Sequence, residues 1–359
     1  MRIVSNFWSG KKVLVTGHSG FKGSWLCLWL EQMGAEVYGF SLPRDDSNKM
    51  FDLCKVDGCV NSVWGDVRDL ALLHKMFKEV QPEIVFHMAA QPLVRASYDN
   101  PVDTYSTNIM GTVNLLEAVR REDCVRAVVN VTTDKCYENR EWVWGYREND
   151  PMGGYDPYSS SKGCSELVTA AYRKSFFSRE GSAAVATARA GNVIGGGDWA
   201  SDRLIPDILS AFRKGVSVEI RNPNATRPWQ HVLEPLSGYL LLAQELYAQN
   251  SQVADAWNFG PTEEGVRPVS FLADFLVSNW PGEVSWHQST DSQPHEATLL
   301  KLDISKAQSI LKWNPTFTLE KTLDTILSWE RAFGKGLDLK EEALAQINEF
   351  LSTREVLGE

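Results

Sequence analysis

A short apolar stretch followed at once by three glycines constrains the fold of this chain more than any other feature. Residues 11–16 read as a buried strand and residues 24–33 as a helix. Between them lie Gly17, Gly20 and Gly23. A second strand is expected at residues 36–40. Because glycines between a strand and a helix let the backbone approach a pyrophosphate at the helix N-terminus, this unit predicts a dinucleotide-binding β-α-β element.

The glycine spacing is GxxGxxG, and His18 stands where the commoner pattern has its second glycine. We expect the His18 side chain to point away from a cofactor or to pack beside its adenosine, which leaves the pyrophosphate site less open. The expected cofactor-binding residues of the turn are Gly17, His18, Gly20, Phe21, Lys22 and Gly23. After the second strand, Ser41 could hydrogen-bond a ribose 2'-hydroxyl, whereas Arg44 could meet a 2'-phosphate. Spacing alone therefore leaves NAD and NADP open.

The alternation of strand and helix continues through the first half of the chain. Strands are predicted at residues 60–63, 84–90 and 127–131, with helices at residues 70–80 and 101–121. This order predicts an α/β fold of Rossmann type, a doubly wound parallel sheet with ligand at the carboxyl ends of its strands.

Composition excludes several classes of partner. A formal charge of -10 disfavours binding to nucleic acid or to an anionic membrane, and no apolar run is long enough to span a bilayer. The first residues do not resemble a secretion signal. Six cysteines with no CxxC pair favour reduced thiols in a cytoplasmic protein over disulfides or a zinc site, so no metal is expected.

The main catalytic candidates are Tyr158 and Lys162, which follow a turn-rich approach at residues 150–157. Pro157 suits the first turn of a helix, so the two side chains should lie on one helix face. An ammonium beside a phenol favours the phenolate and lets Tyr158 act as a base nearer neutral pH. Alone, such a pair is more often part of an ordinary surface helix.

Five segments have the order and spacing of the extended short-chain dehydrogenase/reductases, within which the chain resembles the nucleotide-sugar 4,6-dehydratases. They are residues 16–23, 65–69, 87–91, 132–134 and 158–162. The similarity continues through residues 189–193, 203–206, 227–232 and 257–260 to about residue 315. Residues 17–26 and 132–139 are most similar to the branch that acts on CDP-D-glucose. The tail from about residue 333 lies outside the resemblance, and residues 343–351 read as one more helix.

The resemblance implies a bound NAD, a nucleotide-sugar substrate, and a homodimer or homotetramer formed through paired helices. Residues 1–187, with a return segment near 230–262, would form the NAD-binding domain. The remainder of residues 188–359 would form a smaller mixed α/β domain that binds the nucleotide sugar. The further cofactor-binding residues that it implies are Asp66, Val67, Ala89, Ala90, Gln91, Asn108, Tyr158 and Lys162.

The same resemblance assigns catalytic roles. Tyr158 would take the proton of the sugar 4-hydroxyl as C4 gives a hydride to NAD, Lys162 would hold the phenolate charge, and Thr133 would bond the same hydroxyl. Asp134 would protonate the 6-hydroxyl as water leaves across C5 and C6. Lys135 stands where relatives have the glutamate that removes the C5 proton. It is either that base, as a neutral amine, or a cation that stabilises the enolate.

The resemblance also implies a set of substrate-binding residues. They are Arg95, Thr133, Asn192, Arg203, Pro206, Arg227 and His231. Arg203 and Arg227 are the candidates to clamp a diphosphate, because a guanidinium matches phosphate oxygens in a planar fork. Near residues 295–298, relatives usually carry an arginine that this chain lacks, so its nucleotide pocket is expected to be built differently.

Three functions remain open from sequence. The favoured one is 4,6-dehydration of a nucleotide hexose, CDP-D-glucose or else a dTDP-, GDP- or UDP-hexose, as a step toward deoxysugars of cell-surface polysaccharides. A nucleotide-sugar 4-epimerase would use the same Tyr158 and Lys162 but would not need Asp134 and Lys135 as an elimination pair. A non-catalytic cofactor-binding scaffold would need none of these side chains.

Overall fold

The computed structural model describes residues 3–43, 49–200, 202–289 and 299–356. Its strands are β1 (Lys12–Thr16), β2 (Glu36–Ser41), β3 (Asn61–Trp64), β4 (Ile84–His87), β5 (Ala127–Val131), β6 (Ala184–Ala190), β7 (Asn192–Ile194), β8 (Val218–Ile220), β9 (Thr226–His231), β10 (Ala256–Phe259), β11 (Val266–Pro268) and β12 (Trp286–Gln288). Its α-helices are α1 (Ser5–Trp8), α2 (Phe21–Gln32), α3 (Lys49–Leu53), α4 (Leu70–Val80), α5 (Val94–Asp99), α6 (Pro101–Tyr105), α7 (Gly111–Arg120), α8 (Pro157–Ser175), α9 (Leu204–Arg213), α10 (Leu233–Tyr247), α11 (Val269–Asn279), α12 (Leu319–Gly334) and α13 (Leu339–Val356).

A seven-stranded sheet of order β10-β6-β5-β4-β1-β2-β3 forms the larger part of the molecule, and its neighbouring strands all pair in parallel. The order of the strands along the chain reverses at β1, whose neighbours in the sheet are β2 and β4. In doubly wound sheets, ligands bind at the carboxyl edge where the strand order reverses. The predicted α/β Rossmann-type fold is confirmed. β10 reaches the sheet from the second half of the chain and extends it beyond β6.

Each face of the sheet is covered by its own helices and core. On one face, tryptophans of α2 and α12 pack with the buried face of α10, and Trp257 and Trp313 join them. On the other face, α4 and α7 bury Phe77, Leu115 and Leu116 against the sheet. Because both faces are covered, the central strands are apolar throughout instead of alternating.

Two helices differ in detail from the sequence prediction. α2 begins at Phe21, earlier than residue 24, because Gly20 adopts an extended conformation and serves as its N-cap. The helix predicted at residues 101–121 is present as α6 and α7 joined by a π-helical turn, Ser106–Met110. Such turns insert one extra residue into a helix and are frequent at functional sites.

The smaller part of the molecule is a mixed α/β unit with its own core. A three-stranded sheet of order β11-β9-β7 and a parallel pair, β12 with β8, pack with α9, α11 and the first half of α12. Arg203, Arg227 and Asn192 lie at the ends of α9, β9 and β7, so this unit places them beside the carboxyl edge of the large sheet.

The C-terminal helix α13 returns to the first half of the chain. Phe350 meets the Trp29 ring edge-on at 5.7 Å, and the Cys54 thiol lies 3.4 Å from the Leu339 carbonyl oxygen. Arg354 is buried and donates to the Asn314 carbonyl at 3.3 Å. Among the described helices, none combines the length and apolar character required to cross a membrane.

Candidate active site

The glycine turn after β1 fits a pyrophosphate. A Cβ on Gly23 would lie 2.1 Å from the Gly17 carbonyl oxygen, and one on Gly17 would lie 2.8 Å from the Ala89 nitrogen. Gly17 also has a φ of +75°, which favours glycine. Gly20 caps α2 without a side chain, so the first N–H groups of the helix can receive an anion. The residues present therefore fit a dinucleotide cofactor.

His18 contributes its backbone to this turn and its ring to the protein interior. The ring is fully buried and hydrogen-bonds the hydroxyls of Ser41 at 2.8 Å and Ser62 at 3.1 Å. It fills the space above Gly39, where a Cβ would lie 2.3 Å from the ring. Burial lowers the pKa of His18 to about 4, so the ring is neutral at physiological pH.

Ser41, the expected partner of the ribose 2'-hydroxyl, is held by this histidine. Its hydroxyl also accepts from the Ser19 backbone N–H at 3.3 Å. It must therefore share its hydrogen bonds if it also meets a ribose. Arg44, the alternative for a 2'-phosphate, lies outside the described residues.

Asn108, an expected cofactor-binding residue, fixes the loop after β4. Its amide accepts from the Gln91 N–H at 2.9 Å and donates to the Gln91 carbonyl at 3.1 Å and to the Ser161 hydroxyl at 2.8 Å. These bonds hold the Ala89, Ala90 and Gln91 segment against α8. Asn108 is thus a positioning residue.

Asp66 and Val67 lie at the end of β3, beside the same edge of the sheet. The Asp66 carboxylate pairs with the Arg68 guanidinium at 2.5 Å, and this hydrogen-bonded pair lowers the pKa of Asp66. Val67 is buried against Gly111, where a Cβ would lie 2.7 Å from its methyl group. Both residues are therefore held in place before any ligand binds.

Tyr158 and Lys162 share one face of α8, as predicted. Asp156 caps this helix by accepting from the Ser159 N–H at 2.9 Å, and the Tyr158 N–H donates to Ser97 of α5 at 3.2 Å. Both side chains are buried, at 8% and 6% exposure. The pair faces the carboxyl edge of the sheet opposite the glycine turn.

The prediction that Lys162 brings the pKa of Tyr158 toward neutrality is wrong for this structure. Burial raises the pKa of Tyr158 to about 12, although the Thr133 hydroxyl and the Arg203 charge oppose the rise. The Lys162 ammonium instead donates to the Val131 carbonyl at 3.2 Å. Burial lowers the pKa of Lys162 to about 8, with Glu166 opposing the change.

Glu166 continues the spacing of Tyr158 and Lys162 by four residues and anchors the same helix face. Its carboxylate forms a two-pronged ion pair with Arg189 of β6, at 2.9 and 2.8 Å, and accepts from Thr132 and Thr187. Arg189 also donates to the Tyr137 hydroxyl at 2.5 Å. This buried network fixes the position and charge environment of Lys162.

Thr133 and Asp134 lie together after β5. The Thr133 hydroxyl donates to Asp134 at 3.1 Å, and the Asp134 carboxylate lies against Gly191, where a Cβ would be 2.9 Å away. The Lys135 N–H bonds the Thr133 hydroxyl at 3.3 Å. Among the described residues, the Lys135 ammonium has no hydrogen-bond or ion-pair partner.

The Lys22 side chain extends from the first turn of α2 into the same pocket. Its nitrogen lies 5.9 Å from the centre of the Tyr239 ring. Burial and the nearby charges of Lys162 and Arg203 lower the pKa of Lys22 to about 7, while Asp134 opposes them. We predicted Lys22 as a residue of the cofactor turn, and the structure brings its ammonium among the catalytic candidates as well.

The predicted substrate-binding residues divide into two groups. Arg203 pairs with Asp198 at 3.0 Å, Arg95 pairs with Asp202 at 3.0 Å, Arg227 donates to the Thr226 carbonyl at 3.1 Å, and Asn192 is partly exposed in β7. Arg203 lies near Tyr158 and Lys22, and Arg227 is buried at 8% exposure. Two other predicted residues, His231 and Pro206, lie in the core.

His231 and Pro206 lie in the protein core. The His231 ring is fully buried, edge-on to Trp25 at 6.0 Å and to Phe317 at 5.7 Å, and burial lowers its pKa to about 3. Pro206 is buried in the apolar face of α9. The segments around both residues carry the family resemblance, but in this chain their side chains support the core.

Sequence reasoning missed Glu166, Arg221 and Asp202. Glu166 could have been found by continuing the four-residue spacing along α8. Arg221 and Asp202 have no comparable local signal, because the contact of 3.7 Å between them depends on how β8 packs beside α9.

A dinucleotide turn opposite a buried Tyr–Lys pair at one edge of a doubly wound sheet defines the site of a short-chain dehydrogenase/reductase. Residues 14–326 match the family model described as GDP-mannose 4,6 dehydratase. The chain is 53% identical to a CDP-glucose 4,6-dehydratase of Salmonella typhimurium over 98% of its length and 99% of that protein. It is 25% identical to a dTDP-glucose 4,6-dehydratase of Xanthomonas campestris over 88% of its length and 92% of that protein.

The fold is similar to that of a solved dTDP-glucose 4,6-dehydratase from Bacillus anthracis in complex with NAD. The TM-score is 0.75 at 20% identity, covering 92% of this chain and all of that one. The chain belongs to the GDP-mannose 4,6-dehydratase family of nucleotide-sugar enzymes.

Proposed function

We propose that this chain is a CDP-glucose 4,6-dehydratase, which converts CDP-D-glucose to CDP-4-keto-6-deoxy-D-glucose and water. The observation that carries the proposal is the 53% identity to such an enzyme over nearly the whole of both chains. Thr133, Asp134, Tyr158 and Lys162 meeting at one sheet edge supply the groups that this reaction needs.

The cofactor that we propose is NAD, held by the Gly17–Gly23 turn, the segment at Ala89 and the Lys162 ammonium. When bound, NAD accepts a hydride from C4 and later returns it to C6. Gly17 and Gly23 let the turn pack closely against the segment at Ala89 and the start of α2, and the first N–H groups of α2, which no side chain caps, would supply the donors for the pyrophosphate. The same residues thus hold the cofactor across both hydride transfers.

The side chains carry out the proton transfers. Tyr158 takes the 4-hydroxyl proton, and Thr133 orients that hydroxyl. Because burial favours the neutral phenol, substrate oxidation requires the Lys162 ammonium to stabilise the Tyr158 phenolate that accepts this proton. Asp134 gives the proton that lets the 6-hydroxyl depart as water, and its contact with Gly191 fixes its carboxyl group.

We assign removal of the C5 proton to Lys135, which stands where the family has a glutamate. Its side-chain nitrogen has no partner among the described residues, so as a neutral amine it can turn toward the sugar and accept the C5 proton without breaking a bond. If Lys135 is the base, Lys135→Met should abolish exchange of the C5 hydrogen with deuterated solvent together with dehydration. Normal exchange in that variant would leave Lys135 as a cation that stabilises the enolate.

We propose that the chain divides into an NAD-binding domain, residues 1–187 with a return near 230–262, and a nucleotide-sugar domain formed by the rest. The entry of β10 into the large sheet supports the return segment. The separate core beneath α9 and α11 supports the second domain. The substrate would then lie between the two domains.

We further propose a homodimer or homotetramer formed through the outer faces of α6, α7 and α8. Val102 of α6, Met110 of the π-helical turn that joins α6 to α7, and Leu167 of α8 are exposed at 81%, 48% and 60%. Exposed apolar side chains on adjacent helices are typical of an interface. The six free cysteines are consistent with the cytoplasmic location that we propose.

The test is incubation of the purified protein with CDP-, dTDP-, GDP- and UDP-hexoses, followed by mass spectrometry. We expect loss of one water from CDP-glucose at the highest rate. A preference for another nucleotide would contradict the CDP assignment. A product of unchanged mass with inverted C4 would identify a 4-epimerase instead.

A further inference from the structure

One carboxylate oxygen joins two arginines from opposite sides of the pocket mouth. The Asp202 Oδ1 atom lies 3.0 Å from Arg95 Nη1 and 3.7 Å from Arg221 Nη2. Arg95 belongs to α5, in the part of the molecule built on the large sheet, whereas Arg221 directly follows β8 of the smaller unit. Asp202 therefore bridges the two parts of the molecule.

This bridge lies beside the catalytic residues. Ser97, two residues after Arg95, accepts from the Tyr158 N–H at 3.2 Å. Arg203, the residue after Asp202, acts on the Tyr158 hydroxyl and lowers its pKa, although burial prevails. An anion that replaced the Asp202 carboxylate would thus lie next to Arg203, which acts on Tyr158.

The chemistry of the bridge is that of a phosphate site. Two guanidinium groups that converge on one carboxylate oxygen can equally converge on the oxygens of a diphosphate, which carries more charge and more acceptors. The arginines are partly exposed, at 49% and 34%, and Asp202 at 45%, so releasing the carboxylate costs little. Asp202 also has a φ of +61°, a left-handed conformation uncommon for residues other than glycine.

We propose that Arg95 and Arg221 form the fork that binds the diphosphate of the nucleotide-sugar substrate, and that the Asp202 carboxylate holds this fork until the diphosphate displaces it. The identity of the substrate rests on the proposed function, whereas the anion fork itself does not. Arg221 is then added to the substrate-binding residues expected from the sequence, which include Arg203 and Arg227 as diphosphate candidates, and Asp202 competes with the substrate.

Substitution of either arginine and substitution of Asp202 should change KM in opposite directions. Arg221→Gln and Arg95→Gln should each raise KM for CDP-glucose about tenfold with kcat little changed, because a charged hydrogen bond to the diphosphate is lost. Asp202→Asn should lower KM about two- to fivefold, since a partly exposed competing ion pair is removed. The double variant Asp202→Asn with Arg221→Gln should have a raised KM, like Arg221→Gln alone.

A matched control is Asp255→Asn. Asp255 also bridges two cations, Arg173 at 3.2 Å and Lys306 at 2.5 Å, and is 52% exposed, but it precedes β10 at the opposite edge of the sheet. Its substitution should leave KM unchanged. A KM that rises in Asp202→Asn, or that is unaffected in Arg221→Gln, would overturn the proposal.

Calorimetric titration with inorganic pyrophosphate separates this proposal from the proposed function. Tighter binding to Asp202→Asn and weaker binding to Arg221→Gln would support the fork even if the wild type failed to dehydrate CDP-glucose. Equal pyrophosphate binding by the wild type and both variants would contradict the proposed fork and would leave the dehydratase assignment unaffected.

Discussion

The two walls of the active site are built in opposite ways. The α8 wall carries Tyr158, Lys162 and Glu166 on one face and is tied to β6 through a buried ion pair with Arg189 at 2.8 Å. The rim opposite consists of arginines whose ion-pair partners lie within the mouth of the pocket, as Arg95 and Asp202 do. The first wall is rigid and satisfied within itself, whereas the second is satisfied by groups that a ligand can replace.

This difference indicates a division of labour. Groups that move protons must keep their geometry through the reaction, and burial with complete hydrogen bonding provides that. Groups that admit and release a charged substrate must exchange partners at low cost, and partly exposed ion pairs provide that. Substitutions in the two walls should therefore differ in energetic cost as the walls differ in construction.

Tyr158→Phe gives the largest effect. It removes the proton acceptor from the rigid wall and keeps the ring, so turnover should fall by about 10²- to 10⁴-fold while the Kd values for NAD and the nucleotide sugar stay near those of the wild type. Steady-state kinetics with equilibrium binding checks this. Retained turnover would remove Tyr158 from the mechanism.

Asp134→Asn should stop the reaction between oxidation and loss of water. Hydride transfer from C4 uses Tyr158 and Lys162, which are untouched, whereas the departing 6-hydroxyl loses its acid. In a single turnover, reduced cofactor and a 4-keto sugar with its 6-hydroxyl should accumulate, and overall turnover should fall about 10²-fold or more. Near-normal dehydration would mean that the acid lies elsewhere in the pocket.

Glu166→Gln tests the energy of the rigid wall. The change leaves the Arg189 guanidinium uncompensated in the core, so the free energy of unfolding should fall by roughly 3 to 5 kcal/mol. Denaturant unfolding followed by fluorescence measures it. A loss below about 1 kcal/mol, the size expected of a surface pair, would contradict the contrast between the walls.

The pH profile tests the charges on the same wall. The working pair needs Tyr158 as phenolate and Lys162 as ammonium, with pKa values of about 12 and about 8. Below pH 8 the phenolate fraction rises about tenfold per pH unit, so kcat/KM should rise likewise. Above pH 8, loss of the Lys162 proton cancels this gain and the profile should level.

Lys162→Arg is the control for that profile, because an arginine keeps its charge above pH 8. In this variant the rise should continue beyond the pH at which the wild type levels. If the wild-type and Lys162→Arg profiles levelled at the same pH, Lys162 would not be the titrating group.

Arg95→Gln gives the smallest effect on stability. Its ion pair with Asp202 is about half exposed on both sides, so the free energy of unfolding should change by less than about 1 kcal/mol. When the two variants are measured under the same conditions, their losses in free energy of unfolding compare the contributions of the two walls directly. A loss comparable to that of Glu166→Gln would show that the rim contributes as much to stability as the buried wall does.

The sequence predicts the rigid wall well and the rim poorly, for a physical reason. Tyr158 and Lys162 are four residues apart on one helix, and the glycine turn follows its strand directly, so local spacing defines both. The contact of Asp202 with Arg95 joins residues 107 apart. Ion pairs of that separation depend on how two units pack, and local spacing does not carry this information.

Burial determines what local sequence does not show within the site. The segment that His231 occupies predicts a substrate contact, and in the structure its ring completes an aromatic core with Trp25 and Phe317. Tyr158 was predicted to ionise more easily, but the desolvation that protects the site also favours the neutral phenol. Neighbouring residue types indicate which groups can interact, whereas desolvation depends on the complete packing.

The return of α13 onto α2 has a consequence for synthesis of the protein on the ribosome. Trp29 of α2 is made before the large sheet is complete, but Phe350, whose ring covers Trp29, is made only after β10 has completed that sheet. Domains generally fold as their residues emerge, N-terminal parts first. Here the first half keeps an apolar helix face uncovered until α13 has been made, so the nascent chain depends on α13, or on a chaperone in its place, to cover that face.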